Sequence, residues 1–171
     1  GEEIRPPTPD AIAGAQRFIY AETQYFTALA VRDAFIERMR DDKRPRLAIV
    51  LVMPKGADSP KEKFALGATQ EDLLATLEDE AARHGHQIRV LYSVATHEGQ
   101  EIPTFIHSKL LIVDDRFLSV GSANFTNRSM GLDSELNLSW EADVRHVRSG
   151  LLAEHAGVPD PRVFGNLEAL L

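Results

Sequence analysis

Apolar runs alternate with amphipathic stretches along the first half of the chain, and this alternation predicts strands separated by helices. The predicted strands are RFIYAET (17–23), LAIVLVM (47–53) and QIRVLYS (87–93). The predicted helices, with apolar residues at helical spacing, are LAVRDAFIERMR (29–40) and QEDLLATLEDEAARHG (70–85). Strands that alternate with helices favour a mixed α/β sheet covered by helices on both faces.

The second half of the chain continues this alternation with shorter strands. The predicted strands are KLLIVDD (109–115), RFLSVG (116–121) and SELNLSW (134–140), and the predicted helices are 142–157 and a last one that starts in 165–171. We expect THEGQEIPT (96–104) to be a polar loop, and Asp10 to cap a short helix over 11–16. Prolines in the first ten residues predict a flexible tail over 1–8, which leaves 9–171 as a single domain.

Charge and composition narrow the classes of function. The chain has 19 basic and 26 acidic residues, a formal charge of -7, which argues against broad nucleic-acid binding but leaves room for a small positive pocket that accepts one phosphate. The absence of cysteine excludes disulfides, thiol nucleophiles and cysteine-bound zinc. No apolar run approaches ~18 residues, so no transmembrane segment is predicted.

One segment, FIHSKLLIVDDRFLSVGSANFTNRSMGLDSELN (105–137), carries most of the candidate chemistry. It contains the pattern H-x-K-x4-D-x6-G-S-x-N, which is filled by His107, Lys109, Asp114, Gly121, Ser122 and Asn124. Side chains two apart on a strand face the same way, so His107 and Lys109 are expected to point into one pocket. A turn at Asp114 and a sharp bend at Gly121 would bring Ser122 and Asn124 back toward this pocket.

Each of these residue types suits a phosphodiester substrate. Lys109 supplies a positive charge for non-bridging oxygens, and Ser122 and Asn124 supply neutral hydrogen-bond donors. The imidazole of His107 titrates near neutrality and can act as a nucleophile or a general acid. Glu135 is positioned downstream to accept a hydrogen bond from the other ring nitrogen of His107.

The segment resembles the catalytic motif of the phospholipase D superfamily, and specifically the C-terminal motif of its two-motif members, which include cardiolipin synthase-like enzymes. YAETQYF (20–26) is similar to the strand that precedes this motif in the family, and RSM, Asp133, Glu135 and LLAEHAG (151–157) match the segments after the motif. The resemblance implies a three-layer α-β-α sandwich with a mixed sheet. It also implies metal-independent, cofactor-free hydrolysis or transfer of phosphatidyl groups through a phosphohistidine.

The chain departs from the two-motif pattern because it contains a single H-x-K copy. In-line displacement at phosphorus needs a nucleophile on one side and a leaving-group acid on the other, which one imidazole cannot supply together. The partner is therefore expected to be a missing N-terminal half or a second copy of the chain around a twofold axis. By analogy with two-motif relatives, His107 would be the general acid.

The expected substrate is a phospholipid or another phosphodiester, handled in the cytoplasm or at a membrane surface. The alternatives are a homodimeric single-motif nuclease or phosphodiesterase, and a half-domain that is inactive on its own. Among the candidate catalytic residues, Asp114 also fits a structural role in its turn, and Glu135 fits a surface ion pair. Gln24 is a candidate substrate-binding residue, although strand packing explains it equally well. His84 and His86 near Glu80 fit an exposed helix end better than a metal site.

Overall fold

The computed structural model describes residues 8–55, 68–131 and 134–166. The helices are α1 (Thr8–Gly14), α2 (Leu29–Arg40), α3 (Ala68–His84), α4 (Asn127–Gly131) and α5 (Arg145–Ala156), followed by a 3-10 helix (Pro161–Phe164). The strands are β1 (Phe18–Glu22), β2 (Ala48–Met53), β3 (Gln87–Tyr92), β4 (Val94–His97), β5 (Gln100–Pro103), β6 (Leu110–Val113), β7 (Phe117–Gly121) and β8 (Asn137–Glu141).

Six of these strands form a mixed sheet in the order β3-β2-β1-β6-β7-β8. Strands β1, β2 and β3 are parallel, whereas β6, β7 and β8 are antiparallel to their neighbours. At one end of the central strands, and not at an outer strand, Glu22 at the end of β1 pairs with Leu110 at the start of β6. Gly121 at the end of β7 pairs with Asn137 at the start of β8. We call this the motif edge, because the candidate catalytic residues adjoin these strand ends.

Both faces of the sheet are covered, as the three-layer prediction requires. Alternate residues of β1 point to opposite sides: Ile19 and Ala21 belong to the core under α1, α2 and α3, whereas Phe18 and Tyr20 belong to the core under α5. β2 is buried throughout except for the partly buried Val50. A strand buried on both faces explains why its sequence is a continuous apolar run rather than an alternating one.

The connection between β6 and β7 is a tight turn whose two central residues, Asp114 and Asp115, have φ of 53° and 58°. Three residues separate the paired Val113 and Phe117, and the N–H of Arg116 closes the turn on the carbonyl of Val113 at 3.0 Å. Aspartate is among the residues that tolerate a positive φ in such turns. The side chain of Asp115 then pairs with Arg148, which is fully buried on α5, through contacts of 2.5 Å and 3.0 Å. This pair fixes the first half of α5 at the edge of the sheet opposite the motif edge.

Several predicted boundaries were wrong. The stretch predicted as a polar loop over 96–104 is mostly a hairpin of β4 and β5, with positive φ at Glu98 and Gly99 in its turn. Helix α1 begins at Thr8, so Asp10 lies in its first turn instead of capping it. The C-terminal segment has a 3-10 helix before Gly165, while the expected helix in 165–171 and the predicted tail over 1–8 lie mostly outside the described residues.

His86 is buried, with 7% of its surface exposed, and is not part of an exposed helix end. Its Nδ1 accepts a hydrogen bond from the backbone N–H of Leu47 at 2.8 Å, and its Nε2 lies 2.8 Å from the carbonyl oxygen of Met39. The ring therefore joins the end of α2 to the start of β2. Burial lowers the pKa of His86, as expected for a neutral imidazole in this position.

Candidate active site

The motif edge brings the two ends of the motif together although they are separated by a complete hairpin. The N–H of Gly121 donates to the carbonyl of Lys109 at 3.0 Å, and the N–H of Ser122 donates to the carbonyl of Leu136 at 3.0 Å. These bonds extend the β6-β7-β8 ladder by one step beyond the strands. They set Lys109, Ser122 and Glu135 on adjacent segments, so the predicted return of the chain toward its starting point is confirmed.

Gly121 is required at this position by space and not by backbone conformation, because its φ is outside the left-handed region. A Cβ built on Gly121 would overlap Oδ1 of Asn137 and the backbone carbonyl oxygen of Leu136. Asn137 has a movable side chain, but the carbonyl of Leu136 is backbone and already accepts the N–H of Ser122. Only glycine allows β8 to approach this closely while Ser122 turns back toward the motif.

Lys109 is buried, with 8% of its surface exposed, and its ammonium donates to the carbonyl oxygen of His107 at 2.6 Å. Burial lowers the pKa of Lys109, and the negative charge of Glu135 opposes this effect. A buried cation that is satisfied by one carbonyl, with a carboxylate nearby, keeps donors available for an anion.

His107 lines a cleft that Lys109 does not line, and the ammonium of Lys109 contacts the backbone carbonyl of His107, so a pocket shared by the two side chains stays a prediction. His107 is exposed and its ring stacks on Phe105, with centroids 5.7 Å apart and planes inclined by 16°. Strand β6 begins at Leu110, so residues 107–109 lie before the strand whose alternation was expected to orient both side chains. In the structure the imidazole faces a cleft on the α5 side of the sheet.

Ser122 and Glu135 form a direct pair at the motif edge. The hydroxyl of Ser122 donates to Oε2 of Glu135 at 2.5 Å and accepts the N–H of Leu136 at 3.0 Å. Over the described residues the side-chain donor to Glu135 is Ser122, and the expected hydrogen bond from His107 stays a prediction. Glu135 nevertheless lies close enough to Lys109 for its charge to affect the pKa of that lysine.

Asn124 lies on a segment that is anchored to the stretch after β1. The N–H of Phe125 donates to the hydroxyl of Thr23 at 3.2 Å, and the carbonyl of Phe125 accepts the N–H groups of Thr27 and Ala28. Oδ1 of Asn124 is buried and has no hydrogen-bond partner among the described residues. An unsatisfied buried amide oxygen is costly, and such groups concentrate where a ligand or a partner completes the site.

Asp114 belongs to the opposite end of β6, which corrects its inclusion among the catalytic residues. Its carboxylate accepts three backbone N–H groups, from Gln16 at 2.6 Å, Arg17 at 2.7 Å and Phe18 at 2.9 Å. Asp114 therefore joins the β6-β7 turn to the entry of β1. The motif aspartate thus anchors the β6-β7 turn at the end of the sheet opposite Lys109 and Ser122.

The cleft of about 470 Å³ that contains His107 is also lined by residues that the motif pattern did not include. The most polar of them are Glu22 at the end of β1 and His155 in the last turn of α5, whose Nε2 lies 3.2 Å from Oε1 of Glu22. A signal was present in the YAETQYF and LLAEHAG segments, where both residues lie. Gln24 is partly buried and donates to the hydroxyl of Tyr25 at 3.0 Å, so its substrate-binding role stays a prediction.

Neither a metal centre nor a membrane span is found within residues 8–55, 68–131 and 134–166. Over these ranges there is no grouping of three or more histidine or carboxylate side chains arranged to hold a metal ion. Within the same ranges, no helix combines the length and the apolar character needed to cross a bilayer.

Comparison with known proteins places this geometry in a family. Residues 9–149 match the family model described as "Cardiolipin synthase, PLD-like domain". Cardiolipin synthase 2 of Staphylococcus epidermidis is 26% identical over 136 residues, which are 80% of this chain and 24% of that protein. The chain thus spans about a quarter of the length of the curated relatives it matches.

Solved structures show the same fold. Nuc, a phospholipase D family member from Salmonella typhimurium, superposes with a TM-score of 0.56 at 16% identity over 88% of this chain and 84% of Nuc. Phosphatidylserine synthase of Haemophilus influenzae superposes with a TM-score of 0.57 at 17% identity over 94% of this chain and 40% of that enzyme. With its mixed sheet, its complete motif and the match over residues 9–149, the chain belongs to the cardiolipin synthase-type PLD-like domains of the phospholipase D superfamily.

Proposed function

We propose that this chain supplies one catalytic half of a phosphatidyl transferase or phospholipase D, with phosphatidylglycerol-type phospholipids as substrates. The observation that carries the proposal is the buried Lys109, which lies on a segment adjacent to Ser122 and Glu135 at the motif edge. The similarity of the chain to cardiolipin synthases supports this substrate class.

His107 acts in this proposal as the general acid for the departing alcohol and then as the base for the incoming water or alcohol. A histidine of the second half attacks phosphorus and forms the phosphohistidine, while His107 gives its proton to the leaving oxygen. The second step reverses these roles, so the proton returns to His107 as the incoming hydroxyl displaces the histidine. Lys109 and the side-chain NH2 of Asn124 hold the non-bridging oxygens throughout, while the hydroxyl of Ser122 donates to Glu135.

The exposed ring of His107 must turn from Phe105 toward the phosphate for this chemistry. Stacking between aromatic rings contributes about 0.5–1.5 kcal/mol, and exposed side chains exchange rotamers on the picosecond to nanosecond scale. The rotation therefore costs little free energy and is fast relative to turnover. Binding of a phosphodiester beside Lys109 would offset its cost through a charge-assisted hydrogen bond to the protonated ring.

The second half is proposed to cover an apolar surface on β7, β8 and the segment between them. Val120, Leu136, Leu138 and Trp140 are exposed by 39%, 71%, 56% and 47%. Val120 pairs with Leu138, and Leu118 with Trp140, so these side chains share the face that α5 covers farther along the sheet. An exposed apolar surface that adjoins a catalytic edge is where a completing lobe is expected to pack.

The test is turnover of phosphatidylglycerol in vesicles by the full-length protein and by two of its histidine variants. His107→Ala is expected to lower turnover by about a hundredfold or more, the usual range for loss of a general acid. His146→Ala is the matched control, because His146 is exposed at the start of α5 and should leave turnover unchanged. Equal turnover by wild type and His107→Ala, or cleavage of DNA with no action on the lipid, would contradict the proposal.

A further inference from the structure

Glu22 is a buried carboxylate that accepts hydrogen bonds from three side chains. Only 4% of its surface is exposed, and it accepts the hydroxyl of Tyr20 at 2.5 Å, the hydroxyl of Ser108, and Nε2 of His155 at 3.2 Å. The donors come from β1, from the segment before β6, and from the end of α5. A single carboxylate thus joins three elements at the motif edge.

His155 is the member of this cluster that can carry the compensating charge. The hydrogen bond that the ring of His155 donates to Glu22 raises the pKa of His155, and the charge of Glu154 on the same helix adds to this effect. Burial alone would raise the pKa of Glu22, but its hydrogen bonds from His155, Ser108 and Tyr20 outweigh burial and hold that pKa below its usual value. The titratable groups that face His155 are Tyr20 and Glu22 on β1, Glu154 on its own helix, and His107 across the cleft.

The last turn of α5 is held in place independently of Glu22. Gly157 ends the helix with φ of 63°, and the N–H of Val158 donates to the carbonyl of Ala153 at 2.9 Å. At the other end, Arg148 is anchored to Asp115. His155 is therefore presented from a fixed helix, and a histidine near a helix C-terminus is further favoured in its protonated form.

The hydroxyl of Ser108 connects this cluster to the motif. Ser108 lies between His107 and Lys109, and the ammonium of Lys109 donates to the carbonyl of His107 across the same three residues. This segment precedes β6, and its backbone is tied to the sheet through the hydrogen bond between Lys109 and Gly121. The hydrogen bond from the hydroxyl of Ser108 to Glu22 is a second attachment of this segment, next to His107.

We infer that Glu22 and His155 are positioning residues that hold the segment 107–109 through the hydroxyl of Ser108. This inference rests on the proposed function, because it assigns the pair a role in placing His107 and Lys109 for catalysis. His155 acts through Glu22 and Ser108 and does not itself contact the reacting phosphate. The pair also explains why the third residue of the YAETQYF segment is a buried acid at the end of a core strand.

One experiment measures the coupling without requiring turnover. The ring of His155 and the backbone amides of 107–109 are monitored by NMR during a pH titration of the chain. The amide of Ser108 is expected to shift with the same midpoint as the His155 ring, and this shift is expected to vanish in His155→Gln, which keeps a neutral donor toward Glu22. Ser108→Ala should abolish the coupling while the His155 ring still titrates, and His146→Leu, a change on the exposed side of α5, should leave it intact.

A second readout is turnover of phosphatidylglycerol by the full-length protein. His155→Leu is expected to lower kcat about tenfold with little change in KM, and His155→Gln is expected to recover most of it while removing the pH dependence contributed by His155. If the chemical shift of the Ser108 amide does not change when His155 is protonated, the inference is contradicted, whatever the turnover. If the Ser108 amide shift has the midpoint of the His155 ring but the protein does not act on the lipid, the positioning role of Glu22 and His155 is supported and the proposed function is contradicted.

Discussion

The carboxylate of Asp114 is predicted to contribute to folding and not to chemistry, and its replacement tests this assignment. Asp114→Ala removes the acceptor of three backbone N–H groups, at 2.6 Å, 2.7 Å and 2.9 Å. Each bond is worth about 1 kcal/mol once the partial exposure of the donors is considered. Alanine at φ of 53° costs about 1 kcal/mol more than a residue that tolerates this conformation.

The expected loss for Asp114→Ala is therefore about 4 kcal/mol of unfolding free energy, a fall in Tm of roughly 10 °C for a chain of this size. Asp114→Asn keeps one acceptor oxygen and tolerates the left-handed turn, so it should cost about 1–2 kcal/mol. Asp79→Ala, on the exposed side of α3, is the control and should change stability by less than about 0.5 kcal/mol.

The assay for these variants is urea unfolding followed by circular dichroism, with the slope against denaturant required to stay constant. Two results would refute the assignment. One is an Asp114→Ala variant as stable as the control. The other is an Asp114→Asn variant that folds at wild-type stability but loses turnover in the full-length protein, because that would return Asp114 to the catalytic residues.

Three further predictions concern other parts of the structure. Burial lowers the pKa of His86 below its ordinary 6.5. The neutral ring therefore stabilises the folded state fully above pH 6.5, and this contribution is lost as the pH falls through the lower pKa of the folded state. From pH 7 to pH 5 the unfolding free energy should fall more steeply in wild type than in His86→Gln. Gly121→Ala should cost about 2–3 kcal/mol by urea unfolding because of the Leu136 carbonyl, whereas Gly150→Ala, with open space around it, should be neutral or stabilising. Leu138→Glu should change the unfolding free energy of the chain by less than about 0.5 kcal/mol but lower turnover by the full-length protein. Unchanged turnover would exclude this surface as the contact with the second half.

Local pattern predicted the sheet and the order of its elements because each element depends on nearby residues. The apolar run of β2 and the helical stripe of α2 need no distant information, and the predicted boundaries of α2, 29–40, are those of the structure. The motif spacing also encoded the β6-β7 return, since Gly121 has to lie where β8 approaches closely.

The contacts that pattern could not supply are those between residues far apart in sequence. His155 and Glu22 are 133 positions apart, and Asp114 meets Gln16 across 98 positions. The β4-β5 hairpin was missed because all of its residues are exposed, so no apolar alternation marks it. The orientation of His107 is a further case, because His107 lies three residues before β6 begins and strand alternation does not determine where its side chain points.

The motif edge is proposed above all to be a phosphate site built around Lys109. The most direct measurement is an NMR titration of the isolated chain with inorganic phosphate, with Lys109→Met as the matched variant. A phosphate site at this edge predicts saturable shifts at His107, Lys109, Ser122 and Asn124 that disappear in the variant. Shifts confined to the opposite edge, around Arg116 and Arg145, or shifts that survive in Lys109→Met, would contradict it.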